Sequence, residues 1–197
     1  MGLGPIIEGY VIIITRPHLS CCAAISEEWL DEFKCLIEAV QEAQVAIYGA
    51  SLFFEHGRTG SCVPEGHGQD VCYHAHLHLL PIDLDLKEYV AEDYTIQDLK
   101  GWTEVCSQYA VNDDPYILVQ DKNLIGYVAA PEKLPKRYLR TKVAAILGDP
   151  VLADWEAFPS YDLVQCGKRR LGPELERSMT KRLIILGEDK TYPQTRP

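Results

Sequence analysis

The chain has 197 residues, 47% of them hydrophobic, and this length suits one packed domain, with or without an extension. Its formal net charge of −10 at pH 7 predicts repulsion from a polyanion, so we expect no nucleic-acid polymer as a partner. No apolar run reaches the ~18 residues that cross a membrane, and the aliphatic run at 11–14 is too short for a secretory leader, so we expect a cytoplasmic protein without a membrane partner.

The first half of the sequence predicts a strand, a long helix and two further strands. A β-branched run at 10–15 predicts a buried strand. Ser26 is a favourable helix N-cap, and the apolar residues after it recur at helical spacing, which predicts a helix over 27–44. The elements expected next are a strand over 45–54, with Gly49 weakening it or marking a bulge, a glycine-rich loop over 57–68 and a strand over 71–80.

The second half of the sequence predicts a hairpin and a helix. Apolar runs at 116–120 and 124–128 flank a polar turn and predict the hairpin. An apolar stripe follows Pro135 and ends just before Gly148, which predicts the helix. The less regular segments are 82–113, where one short helix is expected near 96–101 or 103–109, and the polar stretch from Glu174, which holds an apolar island at 183–186.

Three of the six histidines, His74, His76 and His78, are spaced two residues apart on the strand expected at 71–80. Alternate side chains of a strand point to one face, so the three imidazoles share a face. Along a strand the Cα atoms of His74 and His78 are ~13 Å apart, too far for one metal with bonds of ~2 Å to bind all three rings. We therefore expect no metal here, although a pair of histidines with a distant ligand, or a histidine-decorated surface strand, stays open.

The chemistry that fits this histidine face best is nucleophilic catalysis. An imidazole with an ordinary pKa of ~6.5 is mostly neutral at pH 7 and carries a lone pair. It can attack phosphorus directly and form a covalent intermediate. Neighbouring groups can then fix its tautomer, bind phosphate oxygens and pass a proton to the leaving group.

Two segments of the chain resemble the histidine-triad superfamily. The segment 68–80, Gly-Gln-Asp-Val-Cys-Tyr-His-Ala-His-Leu-His-Leu-Leu, resembles the family signature His-φ-His-φ-His-φ-φ with φ apolar, preceded by the family's Gly-Gln. The segment 9–20, Gly-Tyr-Val-Ile-Ile-Ile-Thr-Arg-Pro-His-Leu-Ser, resembles the family's block of glycine, strand, proline and histidine, and a helix follows it as expected. Together the matches span roughly residues 4 to 81.

The resemblance assigns roles to the residues of these two segments. His76 would be the nucleophile that forms a nucleotidyl-imidazole intermediate, and His78 would contact the α-phosphate. His74 and His18 would hold the nucleophile in place through a hydrogen-bonded chain. Gln69 would contact the phosphate or the bridging atom.

Weaker candidates for substrate binding lie outside the two segments. Either Glu55 or His56 would face the substrate, or they form a polar pair beside a loop. Arg140 belongs to a basic cluster that forms either a solvated helix surface or a wall that meets a phosphate. This first basic cluster consists of Lys136, Arg137, Arg140 and Lys142. The same alternatives hold for a second basic cluster, Lys168-Arg169-Arg170.

The resemblance also implies an architecture. We expect an α+β fold with an antiparallel sheet of about five strands and a long packed helix in a histidine-triad core at 1–85, with a C-terminal α+β extension at 86–197 packed on it. The family is usually a homodimer, and no cofactor is expected. The seven cysteines, an odd number without a C-x-x-C pair, are expected to be reduced thiols.

The expected activity is hydrolysis of the P–N bond in a nucleoside 5′-phosphoramidate or an aminoacyl- or peptidyl-nucleotide, with release of the nucleoside monophosphate. The first alternative is a dinucleoside polyphosphate hydrolase or phosphorylase. Nucleotidyl transfer is a further alternative, although transferase members commonly carry Gln at the last triad position, where this chain has His78. Alternatives of another class are a nucleotide-binding sensor without turnover and a metal-binding protein.

Overall fold

The computed structural model describes residues 4–60, 74–122, 124–131 and 134–187. These residues form an α+β structure with one six-stranded antiparallel sheet and five α-helices. The strands are β1 Val11–Ile14, β2 Leu52–Gly57, β3 His76–Leu80, β4 Gln97–Leu99, β5 Tyr116–Asp121 and β6 Leu124–Ala129. The helices are α1 Glu27–Tyr48, α2 Leu86–Ala91, α3 Trp102–Asn112, α4 Tyr138–Ile146 and α5 Tyr161–Gly187, with 3-10 turns at Cys22–Ala24 and Pro150–Ala153.

The strands follow the order β1-β3-β2-β5-β6-β4 across the sheet. The histidine strand β3 lies between β1 and β2, and His78 pairs with Ile12 on one side and with Phe54 on the other. β2 then pairs with β5, so the hairpin of β5 and β6 extends the same sheet. Strands from both sides of residue 85 therefore form one sheet, and β3 is an interior strand rather than a surface strand.

The long helix α1 begins where the sequence predicts and ends one turn later than expected. Ser26 is its N-cap in an extended conformation, and two glutamates in the first turn favour the positive end of the helix dipole. The helix continues to Tyr48 and stops at Gly49, whose φ of 87° is the left-handed conformation that glycine adopts without strain. The expected strand over 45–54 was therefore wrong at 45–48. Gly49 ends the helix instead of marking a bulge.

The elements after residue 82 are confirmed in part. The β5–β6 hairpin lies where it was predicted, and α4 follows Pro135 and ends before Gly148, as expected. Of the two positions considered for a short helix, the one near 103–109 is confirmed by α3, whereas the segment near 96–101 holds β4. This strand raises the number of strands from about five to six. The short helix α2 was not predicted.

Helices cover both faces of the sheet. On one face, Leu77 and Leu79 of β3 pack in a core with α1, where Trp102 of α3 stacks on Phe53 with ring centroids 5.7 Å apart. On the other face, Phe54 and Leu80 pack with α2 and α4 in a second core. Because both faces are covered, all six residues of β2 are buried. The histidines of β3 lie on the face that α4 covers.

The helix α5 was missed because its sequence is polar. It packs along α1, and Leu171 is fully buried there. Charged residues stabilise the contact, since Arg182 pairs with Glu38 and Glu42 of α1, and Lys181 lies 3.0 Å from Glu42. Of the helices in the described part of the chain, none has the length and apolarity needed to cross a membrane.

Candidate functional site

The alternation of β3 brings the histidines to one face, as expected. The rings of His76 and His78 lie edge to face with their centroids 5.0 Å apart. The ring of His18 meets that of His74 in the same manner at 4.7 Å. A bridge between Leu19 and His74 holds the turn that carries His18 beside the start of the strand. The structure therefore brings together all four histidines that were predicted to be catalytic.

The contact of His76 with the backbone of His74 indicates the tautomer of its ring. Its Nδ1 lies 3.2 Å from the backbone carbonyl oxygen of His74. A carbonyl oxygen only accepts hydrogen bonds, so Nδ1 carries the proton and Nε2 of the neutral ring carries the lone pair. Burial lowers the pKa of His76 from 6.5, although the bond to the His74 carbonyl raises it. A neutral ring with an unprotonated Nε2 is therefore expected near pH 7.

His74 has the same tautomer, which is fixed by a hydrogen bond to the backbone of Thr15, three residues before His18. Its Nδ1 lies 2.9 Å from the backbone oxygen of Thr15, which again requires a proton on Nδ1. The Thr15 amide in turn donates to the Ala75 oxygen at 3.0 Å, which ties this segment to the histidine strand. His18 itself is exposed, so it lies at the outer end of the row of histidines.

His78 is buried more deeply than its neighbours. It is 3% exposed, and its ring stacks on Phe54 with the centroids 4.8 Å apart. Its Nδ1 forms a short hydrogen bond with the Tyr10 hydroxyl, which also receives a bond of 3.0 Å from Arg140. Its Nε2 is buried and has no partner among the described residues. An unpaired buried polar atom costs about 1–3 kcal/mol, which makes this nitrogen a candidate contact for a ligand.

Arg140 contacts the histidines through the hydroxyl of Tyr10, and its own side chain is buried. The guanidinium is buried and donates to the backbone oxygens of Gly4, Leu152 and Ala153 as well as to Tyr10. These bonds occupy four of the five N–H donors of the guanidinium, and the substrate contact expected for Arg140 stays a prediction. Tyr10 was not among the expected site residues, and no local pattern marks it, since it lies 68 residues from His78.

The other members of the first basic cluster also do not form a free cationic surface. Arg137 pairs with Asp154 at 2.9 Å and with Glu156 at 2.6 Å. Lys142 lies 2.9 Å from a carboxylate oxygen of Asp93. The second cluster is partly compensated as well, since Arg170 lies 3.0 Å from Glu8. Arg137 and Lys142 therefore bind carboxylates of the protein itself rather than forming a wall for a phosphate.

His56 lies close to His78, one of the four histidines of the row formed by His18, His74, His76 and His78, but it bonds to the backbone of α4. Its ring centroid is 6.5 Å from that of His78. Its Nε2 accepts a hydrogen bond of 3.0 Å from the Leu139 amide, one of the amides at the start of α4 that no helical carbonyl can bond. Burial, assisted by the nearby His76 and Arg140, lowers the pKa of His56 to about 3. His56 thus joins α4 to β2 as a neutral acceptor, and this nitrogen is not available to a substrate.

The buried neutral His56 predicts a loss of stability in acid. Between its ordinary pKa of 6.5 and its folded value of about 3, only the unfolded protein binds the proton, so the free energy of unfolding falls as the pH falls through that window. His56→Gln keeps an acceptor for Leu139 without the titration. Denaturant unfolding from pH 7 to pH 4 should show a slope smaller by about 1.4 kcal/mol per pH unit in the variant. Equal slopes would contradict this.

Glu55 lies on the opposite face of the sheet and does not face the histidines. One carboxylate oxygen accepts from the Cys22 amide and the other from the Tyr116 hydroxyl, each at 2.7 Å. Burial raises the pKa of Glu55 to about 7, although these hydrogen bonds oppose the shift. Glu55 points away from the histidines because successive residues of a strand point to opposite faces, and the expectation that Glu55 or His56 faces the substrate stays a prediction.

The remaining candidates concern a glutamine, cavities and a metal. Gln69 lies outside the described residues. Two cavities formed by described residues lie away from the histidines, one of about 560 Å³ beside Phe53 and Trp102 and one of about 300 Å³ beside Ser51 and Asp83. Within the described ranges, no group of three or more His, Cys, Asp or Glu side chains is arranged to hold a metal ion.

Comparisons with known proteins identify no family for this arrangement. No protein-family model matches the chain, and no curated protein matches it. The function is therefore argued from the geometry of the histidines and from the motifs that the sequence contains.

Proposed function

We propose that the chain is a histidine-triad hydrolase that cleaves the P–N bond of a nucleoside 5′-phosphoramidate or of an aminoacyl- or peptidyl-nucleotide. The motif at 68–80, the His18 block at 9–20 and the α+β sheet with α1 packed on it are what this family would present. The homodimer and the cytoplasmic location that the family implies stay predictions.

The observation that carries the proposal is the pairing of His76 with His78. His76 offers a lone pair on Nε2, because its Nδ1 proton is held by the His74 carbonyl. The neighbouring His78 holds a buried Nε2 without a partner among the described residues. A phosphate that contacts the Nε2 atoms of both rings would meet a nucleophile on one and satisfy the unpaired nitrogen of the other.

The reaction would take place in two steps. First, Nε2 of His76 forms a bond to the α-phosphorus while the P–N bond to the leaving amine breaks, and the amine departs with a proton from solvent or from a neighbouring imidazole. Water then attacks the same phosphorus, and the bond to His76 breaks. The net reaction consumes one water molecule and yields the nucleoside monophosphate, the amine and a neutral His76.

A phosphoramidate suits this site because it carries a reactive α-phosphorus and no long chain of negative charges. Arg140 is bonded to backbone carbonyls, and Arg137 and Lys142 are paired with carboxylates, so none of these three side chains is placed to neutralise a polyphosphate. The net charge of −10 further disfavours a highly charged substrate. Dinucleoside polyphosphates, which carry more negative charge, are therefore the second candidate.

A parallel assay of two substrates tests the proposal. The purified chain is incubated with adenosine 5′-phosphoramidate and, separately, with diadenosine tetraphosphate, and AMP release is measured by chromatography. We expect release from the phosphoramidate at a kcat/KM at least about tenfold higher. Turnover of the tetraphosphate alone would favour the alternative hydrolase. Nucleotide binding without turnover of either compound would favour a sensor and would contradict the proposed activity.

A further inference from the structure

Behind the histidine row, Arg140 and Tyr10 form a continuous chain of hydrogen bonds that ends on His78. An arginine side chain donates hydrogen bonds and accepts none, so the Tyr10 oxygen must be the acceptor in its bond of 3.0 Å from Arg140. The phenolic oxygen keeps a second lone pair, so in its short contact with Nδ1 of His78 either Tyr10 donates or Nδ1–H donates. Donation by Tyr10 gives the hydrogen of this buried hydroxyl an acceptor and favours Nδ1 as that acceptor.

We propose that Arg140 and Tyr10 are positioning residues that hold His78 in the tautomer with its proton on Nε2. The ring then carries an N–H donor at its buried Nε2 and no second lone pair. The tautomer itself follows from the contacts of Tyr10, whereas the use of that donor on a phosphate oxygen rests on the proposed function.

The surroundings keep the His78 ring neutral, so that the tautomer matters. Burial lowers the pKa of His78 well below 6.5, and the nearby His76, His56 and Arg140 lower it further. A neutral imidazole has one donor and one acceptor, and the nitrogen that accepts from Tyr10 decides which is which. With Nδ1 as the acceptor, the single proton must lie on the buried Nε2.

The hydrogen bonds of Arg140 to three backbone oxygens hold its guanidinium in place. Arg140 donates to Gly4 at 2.8 Å, to Leu152 at 3.0 Å and to Ala153 at 3.3 Å. These bonds tie the segment before β1 and the turn at 150–153 to α4, so the guanidinium has little freedom to release Tyr10. The His78 ring is itself confined, because Phe54 stacks on it at 4.8 Å. A ring flip would cost several of these contacts at once.

Neighbouring histidines therefore carry opposite tautomers. The Nδ1 atoms of His74 and His76 both face carbonyl oxygens and must be protonated. With Tyr10 as the donor, Nδ1 of His78 is unprotonated. In the proposed reaction, this arrangement provides a lone pair for the phosphorus and, 5.0 Å away between ring centroids, an N–H for a phosphate oxygen.

The hydrogen bonds from Arg140 to Tyr10 and from Tyr10 to His78 are called the relay below. Nitrogen NMR of the protein labelled with ¹⁵N-histidine tests the relay without any substrate. Protonated and unprotonated ring nitrogens resonate in well-separated regions, so each tautomer can be assigned directly. We expect the proton on Nε2 of His78 and on Nδ1 of His74 and His76 at pH 7.5. A wild-type His78 with an unprotonated Nε2 would overturn the proposal, and this outcome depends on no variant folding correctly.

Tyr10→Phe removes only the hydroxyl of the relay, and Tyr127→Phe is its matched control. The Tyr127 hydroxyl is also buried, has no partner among the described residues and lies in the core on the other face of the sheet. Tyr10→Phe should shift part of the His78 population to the Nδ1–H tautomer and lower kcat roughly 10- to 100-fold with little change in KM. Tyr127→Phe should change neither.

The outcomes separate the relay from the proposed function. If the tautomers are as expected but the wild type hydrolyses neither nucleotide, the relay stands and the proposed hydrolase fails. If the wild type is active and Tyr10→Phe leaves both the His78 spectrum and kcat unchanged, the relay fails and the hydrolase stands. A fall in activity of equal size in Tyr127→Phe would show a general effect on packing and would also overturn the relay.

Discussion

His76→Ala is expected to lower kcat for phosphoramidate hydrolysis by roughly 10⁴-fold or more, because it removes the proposed nucleophile. The variant should fold, since His76 is half-buried and loses a single hydrogen bond to a backbone oxygen. Its thermal midpoint should stay within a few degrees of the wild type. Steady-state AMP release under saturating substrate, measured beside a melting curve, checks both expectations.

The matched control for this variant is His18→Ala. His18 is exposed and its ring contacts that of His74, so we expect it to act on the orientation of the neighbouring histidines. We expect a loss of roughly 10- to 100-fold, the size found for groups that orient a reacting residue. A His76→Ala variant that retains more activity than His18→Ala would contradict the assignment of the nucleophile.

Arg140→Ala is expected to be the most destabilising of the substitutions considered, by on the order of 4 kcal/mol. It leaves the Tyr10 hydroxyl and the backbone oxygens of Gly4, Leu152 and Ala153 without their donor inside the protein. For a chain of this size the thermal midpoint should fall by roughly 10 °C. Calorimetry or circular dichroism at pH 7.5 measures the shift.

Arg170→Ala is the control for the loss of an arginine. Arg170 pairs with the carboxylate of Glu8 at 3.0 Å and lies over the Tyr48 ring, but its side chain is 58% exposed. An exposed ion pair contributes less than ~1 kcal/mol, so its midpoint should barely move. Equal shifts in the two variants would contradict the view that Arg140 is a buried structural donor.

The sequence was sufficient to predict the parts of the fold that depend on local period. The spacing of two placed the three histidines on one face, and helical spacing after Ser26 located α1. The end of α1 could not be read, because an apolar run at 45–48 fits a helix and a strand equally well until Gly49 is seen to cap it. The helix α5 could not be predicted, because much of its sequence is polar, and the buried Leu171 that packs in the core gives no helical period by itself.

The candidate site was predictable only where its residues are close in sequence. The chain from His78 to Tyr10 and Arg140 joins residues that lie 68 and 130 positions apart, and no local pattern signals such a contact. The opposite faces of Glu55 and His56 were predictable, since adjacent residues of a strand cannot both face one ligand. Nothing in the sequence indicated that the His56 nitrogen would accept from the start of α4.

The most direct test of the central claim is to trap the covalent intermediate. The protein is mixed with a phosphoramidate, quenched with base within milliseconds, a condition in which a phosphoramidate on histidine survives, and digested for peptide mass mapping. We expect a nucleotidyl group on the peptide that contains His76, and its absence in His76→Ala. A nucleotidyl group on another residue, or turnover in the wild type without any adduct on His76, would contradict the proposed mechanism.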